Sequence, residues 1–186
     1  MNYFTELYME PIEILKSLND CGTNIYSEMT DMELGFLCGL LKMHKPKKIV
    51  EIGVSSGGTT SAILNCLTIL NSNSIIYSVD LNKTHYKHKN KETGFLVDKT
   101  LKYINTKVKH KFYLGNTIAK CIDEIGENID FLILDTVHFI PGEILDFITC
   151  LPYLSPNAIV VLHDTNYHQI NGSLGYCTKT LFDSST

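Results

Sequence analysis

Apolar residues follow two rhythms along this chain, and the change from one to the other predicts where strands give way to helices. Short, nearly unbroken apolar runs bounded by turn residues occur at 49–53 (IVEIG), 75–80 (IIYSVD), 110–114 (HKFYL), 129–135 (IDFLILD) and 158–163 (AIVVLH), and each reads as a strand. Between them the spacing lengthens to three and four, giving helices over 57–70, 93–107, 116–126 and 141–151. The last opens on Pro141, in the first-turn position that proline favours. Upstream, Thr30 and Glu33 stand at capping-box spacing ahead of Phe36, Leu37, Leu40 and Leu41, so a helix is expected over 31–43. Residues 2–19 carry Phe4, Leu7, Ile12, Ile14, Leu15 and Leu18 around Pro11, and read as one kinked helix or two short ones.

Strands that are apolar throughout, each followed by an amphipathic helix, imply a mostly parallel sheet covered on both faces. The expected fold class is α/β, doubly wound, with a helical segment over 1–45 ahead of the sheet domain over 46–186. At 186 residues the two make one structural domain. Apolar residues at 44% and charged residues at 19% describe an ordinary globular chain. The net charge of −4 argues against nucleic acid as a partner, which leaves small molecules. The apolar runs break well before the ~18 residues of a membrane span, and the opening MNYFTELYMEPIE carries acids where a signal peptide carries lysines. A cytoplasmic location with no membrane partner is expected. Cys21, Cys38, Cys66, Cys121, Cys150 and Cys177 form no C-x-x-C pair and read as structural thiols.

In doubly wound sheets ligands bind beyond the carboxyl ends of the strands, so the residues closing each strand carry the argument. The first strand runs into Glu51-Ile52-Gly53-Val54-Ser55-Ser56-Gly57-Gly58-Thr59-Thr60, a glycine-rich turn into a helix where a ligand can approach backbone. The second ends in Asp80, a carboxylate suited to the two hydroxyls of a ribose. Together they suggest an adenosine-containing cofactor. The turn reads G-x-x-x-G-G where a dinucleotide's pyrophosphate needs G-x-G-x-x-G, which favours S-adenosylmethionine over NAD.

The successive segments KPKKIVEIGVSSGGTT, SVDLN, LGNT, IDFLILDTVHF and PNAIVVLHDT resemble the motifs of class I S-adenosylmethionine-dependent methyltransferases, over about residues 30–166. Within that class they are most similar to the group of macrocin and rhamnosyl O-methyltransferases and cephalosporin-hydroxylase-like proteins. The resemblance implies a Rossmann-like methyltransferase fold and transfer of methyl to oxygen on a small hydroxylated acceptor, such as a sugar or glycan precursor. Carried over by position, Glu51 and Gly53 would line the methionine end, and the turn residues Ser55, Gly57, Gly58 and Thr59 are expected to bind the cofactor with them. Asp80 would hold the ribose, and Gly115-Asn116 would border the adenine, where the family more often has Gly-Asp. It also implies a divalent ion, Mg²⁺ or Mn²⁺, held by Asp135, His163 and Asp164, with Asp135 and His138 catalytic and His138 as the base.

Each assignment has a plainer counterpart: a tight turn without ligand at the glycines, helix caps at Asp80 and Asp135, a surface histidine at 138, and an ordinary strand end at His163-Asp164. His163 could instead orient Asp164. The lysine-rich stretch 82–92 reads as a solvated loop or a grip on an anionic acceptor. The family adds further strands after the fifth, whereas here LGYCTKTLFDSST reads as the start of a helix and a polar end, so those strands are expected to be missing. The edge at 158–162 is then a natural place for homo-oligomer pairing. A non-catalytic cofactor-binding subunit and an NAD-dependent oxidoreductase are the alternatives.

Overall fold

The computed structural model describes residues 6–18, 27–136, 138, 140–170 and 176–184; Phe4, Cys21, Val137, Phe139 and residues 174–175, quoted above, lie outside the described residues. The chain gathers into two compact units that interleave along the sequence. One is chiefly helical (Met1–Lys47, Val54–Ile75, Asn82–His110), and the other is built on the sheet (Lys48–Gly53, Ile76–Leu81, Lys111–Thr186).

The helical unit holds α1 (Glu10–Leu18), α2 (Asp31–His44), α3 (Gly58–Ile69) and α4 (Phe95–Tyr103). Pro11 sits in the first turn of α1, where a missing N–H costs nothing, so the helix starts just before the proline, at Glu10, instead of kinking there. The Thr30 hydroxyl accepts from the Glu33 N–H while the Glu33 carboxylate accepts from the Thr30 N–H, closing the expected capping box at the head of α2. α2, which buries Leu34, Leu37 and Leu41, packs against α3, which buries every residue from Gly58 to Leu67. The polar members of that helix therefore need partners: Asn65 donates to the Pro11 carbonyl at 2.7 Å, and Thr59 shares a 2.9 Å hydrogen bond with Ser27. α4 is shorter than expected. Ile104, Asn105 and Thr106 are weak helix formers, and Thr106 Oγ1 instead accepts from the Thr68 hydroxyl and the Val108 N–H.

The sheet runs β3-β2-β1-β4-β5, with β1 (Lys48–Ile52), β2 (Ile75–Asp80), β3 (Lys109–Leu114), β4 (Ile129–Leu134) and β5 (Leu154–Leu162). β1 pairs in parallel with β4, and β4 with β5. The order reverses between β1 and β4, which is the switch point of a doubly wound sheet. β5 starts earlier than expected, at Leu154; Pro156 is tolerated because this is an edge strand, and the register shifts between Ile129 and Phe131.

Val50, Ile52, Leu132 and Leu134 form the sheet-unit core with α5 (Ile118–Ile125), α6 (Gly142–Cys150) and α7 (Tyr176–Ser184), whose Ile118, Ile122, Cys150 and Leu181 are buried. Each fully buried aliphatic side chain contributes about 1.5–3 kcal/mol over an exposed one. Lys48 fastens the end of α5 by donating to the carbonyls of Ile125 at 2.9 Å and Glu127 at 2.6 Å, where the helix dipole favours a cation. Cys38, Cys66, Cys121, Cys150 and Cys177 are buried free thiols. Among the described residues no helix is long and apolar enough to cross a membrane.

Candidate active site

Backbone hydrogen bonds run one residue past the strands of the sheet unit and align their ends. Gly53 N–H donates to the Val79 carbonyl at 2.9 Å, Asp135 N–H to Ile52 at 2.9 Å and His163 N–H to Leu134 at 3.0 Å. The Asp80 carbonyl accepts from both Gly115 and Asn116, at 2.8 and 3.2 Å. Six expected site residues thus lie along one edge of the sheet, where a doubly wound fold binds its ligand. Gly53 is in the left-handed region at φ +95°, and a Cβ there would stand 1.8 Å from the Asp135 carbonyl oxygen. The ends of β1 and β4 are therefore in backbone contact.

Gly53, Asp80, Gly115 and Asn116 all keep some exposed surface for a ligand. Glu51 does not. It is 0% exposed and accepts the Ser78 hydroxyl at 2.7 Å, which makes it a buried link between β1 and β2.

In the helical unit, Gly57, Gly58 and Thr59 are likewise buried. Gly57 has φ +84°, and a Cβ would meet Val97 Cγ2 at 2.7 Å and Gly94 Cα at 2.9 Å, so this glycine answers to packing against α4. Ser55 stays partly open and donates to Glu28 at 3.2 Å. The lysine-rich loop folds around buried His85, whose Nδ1 accepts from the N–H groups of Lys87 at 3.2 Å and His88 at 3.0 Å. Burial, the largest influence, holds the His85 pKa below the ordinary imidazole value.

The ends of β4 and β5 and the start of α6 assemble alternating acids and imidazoles. Glu143 Oε1 lies 3.1 Å from His138 Nδ1, and His138 Nε2 lies 2.9 Å from Asp164 Oδ2. That carboxylate is 3.5 Å from His163 Nδ1, which is itself 2.9 Å from Asp135 Oδ1. Burial alone would lower the His138 pKa, but hydrogen bonds to Asp164 and Glu143 outweigh it and raise it to about 10. The same bond from His138 holds the Asp164 carboxyl below its ordinary range. With a carboxylate facing each ring nitrogen, His138 favours its protonated form in this arrangement, a bias against the base role expected of it.

Ligand atoms of Asp135, His138 and Asp164 all lie within 4.8 Å of one another. The expected trio had His163 in place of His138. The structure instead turns His163 Nδ1 onto Asp135, at 2.9 Å, more closely than onto Asp164, at 3.5 Å. Two carboxylates and one imidazole fit a hard or borderline divalent ion; Mn²⁺ accepts nitrogen more readily than Mg²⁺. Sequence reasoning missed Glu143 and Thr178. Glu143 is 0% exposed, accepts the Thr178 hydroxyl on Oε2, and no pattern in the sequence ties it to His138.

A family described as "Methyltransferase domain" matches residues 50–165. No curated protein matches the chain by sequence. Among solved structures, a Podospora anserina methyltransferase bound to SAH is 15% identical, with TM-score 0.62 over 94% of this chain and 76% of that one. An O-methyltransferase from Bacillus cereus in complex with SAH is also 15% identical, with TM-score 0.62 over 93% and 76%. The O-methyltransferase TomG from Streptomyces achromogenes, in complex with SAM, is 12% identical, with TM-score 0.60 over 95% and 74%. With the doubly wound α/β class matched by these structures and the family covering more than half of its length, the chain belongs to the methyltransferase domain family.

Proposed function

We propose that this protein is an S-adenosylmethionine-dependent O-methyltransferase acting on a small hydroxylated acceptor, of which a sugar or glycan precursor is the class its motifs resemble. The observation that carries the reading is the contact of Gly53 with the Asp135 carbonyl. It makes the β1 and β2 ends, with Gly53 and Asp80, continuous with the acid–imidazole cluster at β4 and β5. Neighbours of the same fold carry SAH or SAM in their crystals, which favours the methyl donor over NAD.

In this mechanism Asp80 accepts hydrogen bonds from the ribose hydroxyls, while Gly53 and the Gly115-Asn116 backbone leave room for the amino-acid end and the adenine. Ser55, Gly57, Gly58 and Thr59 are assigned to the same cofactor by their motif alone. Asp135, oriented by His163, accepts the hydrogen of the acceptor hydroxyl and aligns its oxygen for in-line attack on the methyl group, and this orientation supplies much of the rate. His138 holds Asp164 in place. A divalent ion would be held by Asp135, Asp164 and, in place of its proton, a ring nitrogen of His138, and would lower the hydroxyl pKa as a Lewis acid.

Calorimetry tests the reading directly. S-adenosylmethionine and S-adenosylhomocysteine are expected to bind with micromolar affinity, about −8 kcal/mol. Heat with NAD and none with either of these ligands overturns it. Binding of both without turnover of any acceptor in a hydroxylated-metabolite screen identifies a non-catalytic subunit instead.

A further inference from the structure

We infer that Glu143, backed by Thr178 of α7, is a positioning residue that holds His138 by its Nδ1–H and so presents Nε2 to Asp164 and Asp135. The inference deepens the metal-assisted reading of this cluster and rests on the same strand ends.

Glu143 lies in the first turn of α6 and is 0% exposed, so its carboxylate needs partners to stay buried. It has three. Oε1 lies 3.1 Å from His138 Nδ1 and 3.4 Å from the Thr136 N–H, while Oε2 accepts the Thr178 hydroxyl. An ionised carboxylate only accepts, so the hydrogen between Glu143 and His138 sits on Nδ1. The other ring nitrogen is then committed to the strand-end side, where it lies 2.9 Å from Asp164 Oδ2, and one ring nitrogen of His138 lies within 4.8 Å of a ligand atom of Asp135. The Tyr167 ring, its centroid 5.0 Å from that of His138, further limits rotation of the imidazole. A carboxylate on the far nitrogen of a metal-binding histidine fixes both tautomer and ring orientation, and losing it lowers metal affinity. Thr178 brings α7 into this arrangement, an element to which the sequence assigns no role in the site.

The test uses the whole chain and two readouts. In metal-free protein the His138 Nδ1–H resonance is expected to be protected from solvent exchange. Glu143→Leu should abolish that protection, Glu143→Gln should keep it because an acceptor oxygen remains, and Thr178→Val should weaken it. With Mn²⁺ alone as probe, Glu143→Leu should bind roughly 10- to 100-fold more weakly, with partial rescue in Glu143→Gln and SAH affinity unchanged. Equal protection and equal Mn²⁺ affinity in parent and Glu143→Leu overturn the inference. If Glu143→Leu does not fold, an unchanged exchange rate in Thr178→Val does so. Should the parent bind no Mn²⁺ at all, the metal reading fails, and the exchange data still decide the role of Glu143.

Discussion

The carbonyl oxygen of Asp135 occupies the space a side chain at Gly53 would need, 1.8 Å from where the Cβ would lie. Gly53→Ala should therefore force β1 and β4 apart, and the left-handed φ adds backbone strain, for a loss of about 3 kcal/mol or more. Chemical denaturation measures it. A variant as stable as the parent, with SAH affinity intact, would show that the two strand ends do not depend on this close approach.

Asp80 can be removed without touching the ladder, because its backbone carbonyl is what accepts from Gly115 and Asn116. Asp80→Ala should weaken S-adenosylhomocysteine binding by roughly 10- to 100-fold, the worth of charge-assisted hydrogen bonds to a diol. Calorimetry reads the change. Unaltered affinity would move the ribose elsewhere.

Excess chelator should remove methyl transfer, with Mn²⁺ or Mg²⁺ restoring it. Asp135→Ala should lose activity while keeping most of its cofactor affinity if the carboxylate serves the acceptor side, as proposed. Full turnover in chelator would take the metal out of the reaction.

Asp146 offers a pH signature apart from the cluster's own residues. Burial first, and then the charge of Glu143, raise its pKa from 3.8 to about 6. The folded state thus holds this proton more tightly than the unfolded one, so stability falls as pH rises through that interval, and the whole cost is present above it. Asp146→Asn should be more stable than the parent at pH values above about 7, with the difference fading as pH falls below about 4. Melting curves across that range check the sign.

β5 closes one edge of the sheet, and a strand edge is a template for pairing. We propose self-association through residues 158–162, so light scattering should show a mass that rises with concentration. A single monomeric mass at every concentration would leave this edge without that role.

Local signals carried most of the fold. The Thr30–Glu33 capping box, the apolar strand runs and the glycine after β1 each depend on neighbours within a few positions, and such patterns are readable without distances. What a residue owes to partners far along the chain was not readable in that way. Thr68, remote in sequence, draws Thr106 out of a helix; Gly94 sets the need for glycine at 57; Ser78 encloses Glu51. In the cluster, the residue types were legible and their partnership was not. His138 and His163 sit 25 positions apart, and only the pairing of β4 with β5 decides which faces the acids and which supports one of them.

Asp164 closes β5 with its backbone in the left-handed region, at φ +56°. Glycine and asparagine enter that conformation most cheaply, aspartate nearly as well, and the remaining side chains at a cost. Of these three, only aspartate also brings a negative charge to His138. Backbone shape and electrostatics therefore intersect on one residue, and a saturation library at this position should yield an alphabet of one: Asn and Gly variants that fold without function, and Glu variants that keep the charge but strain the turn.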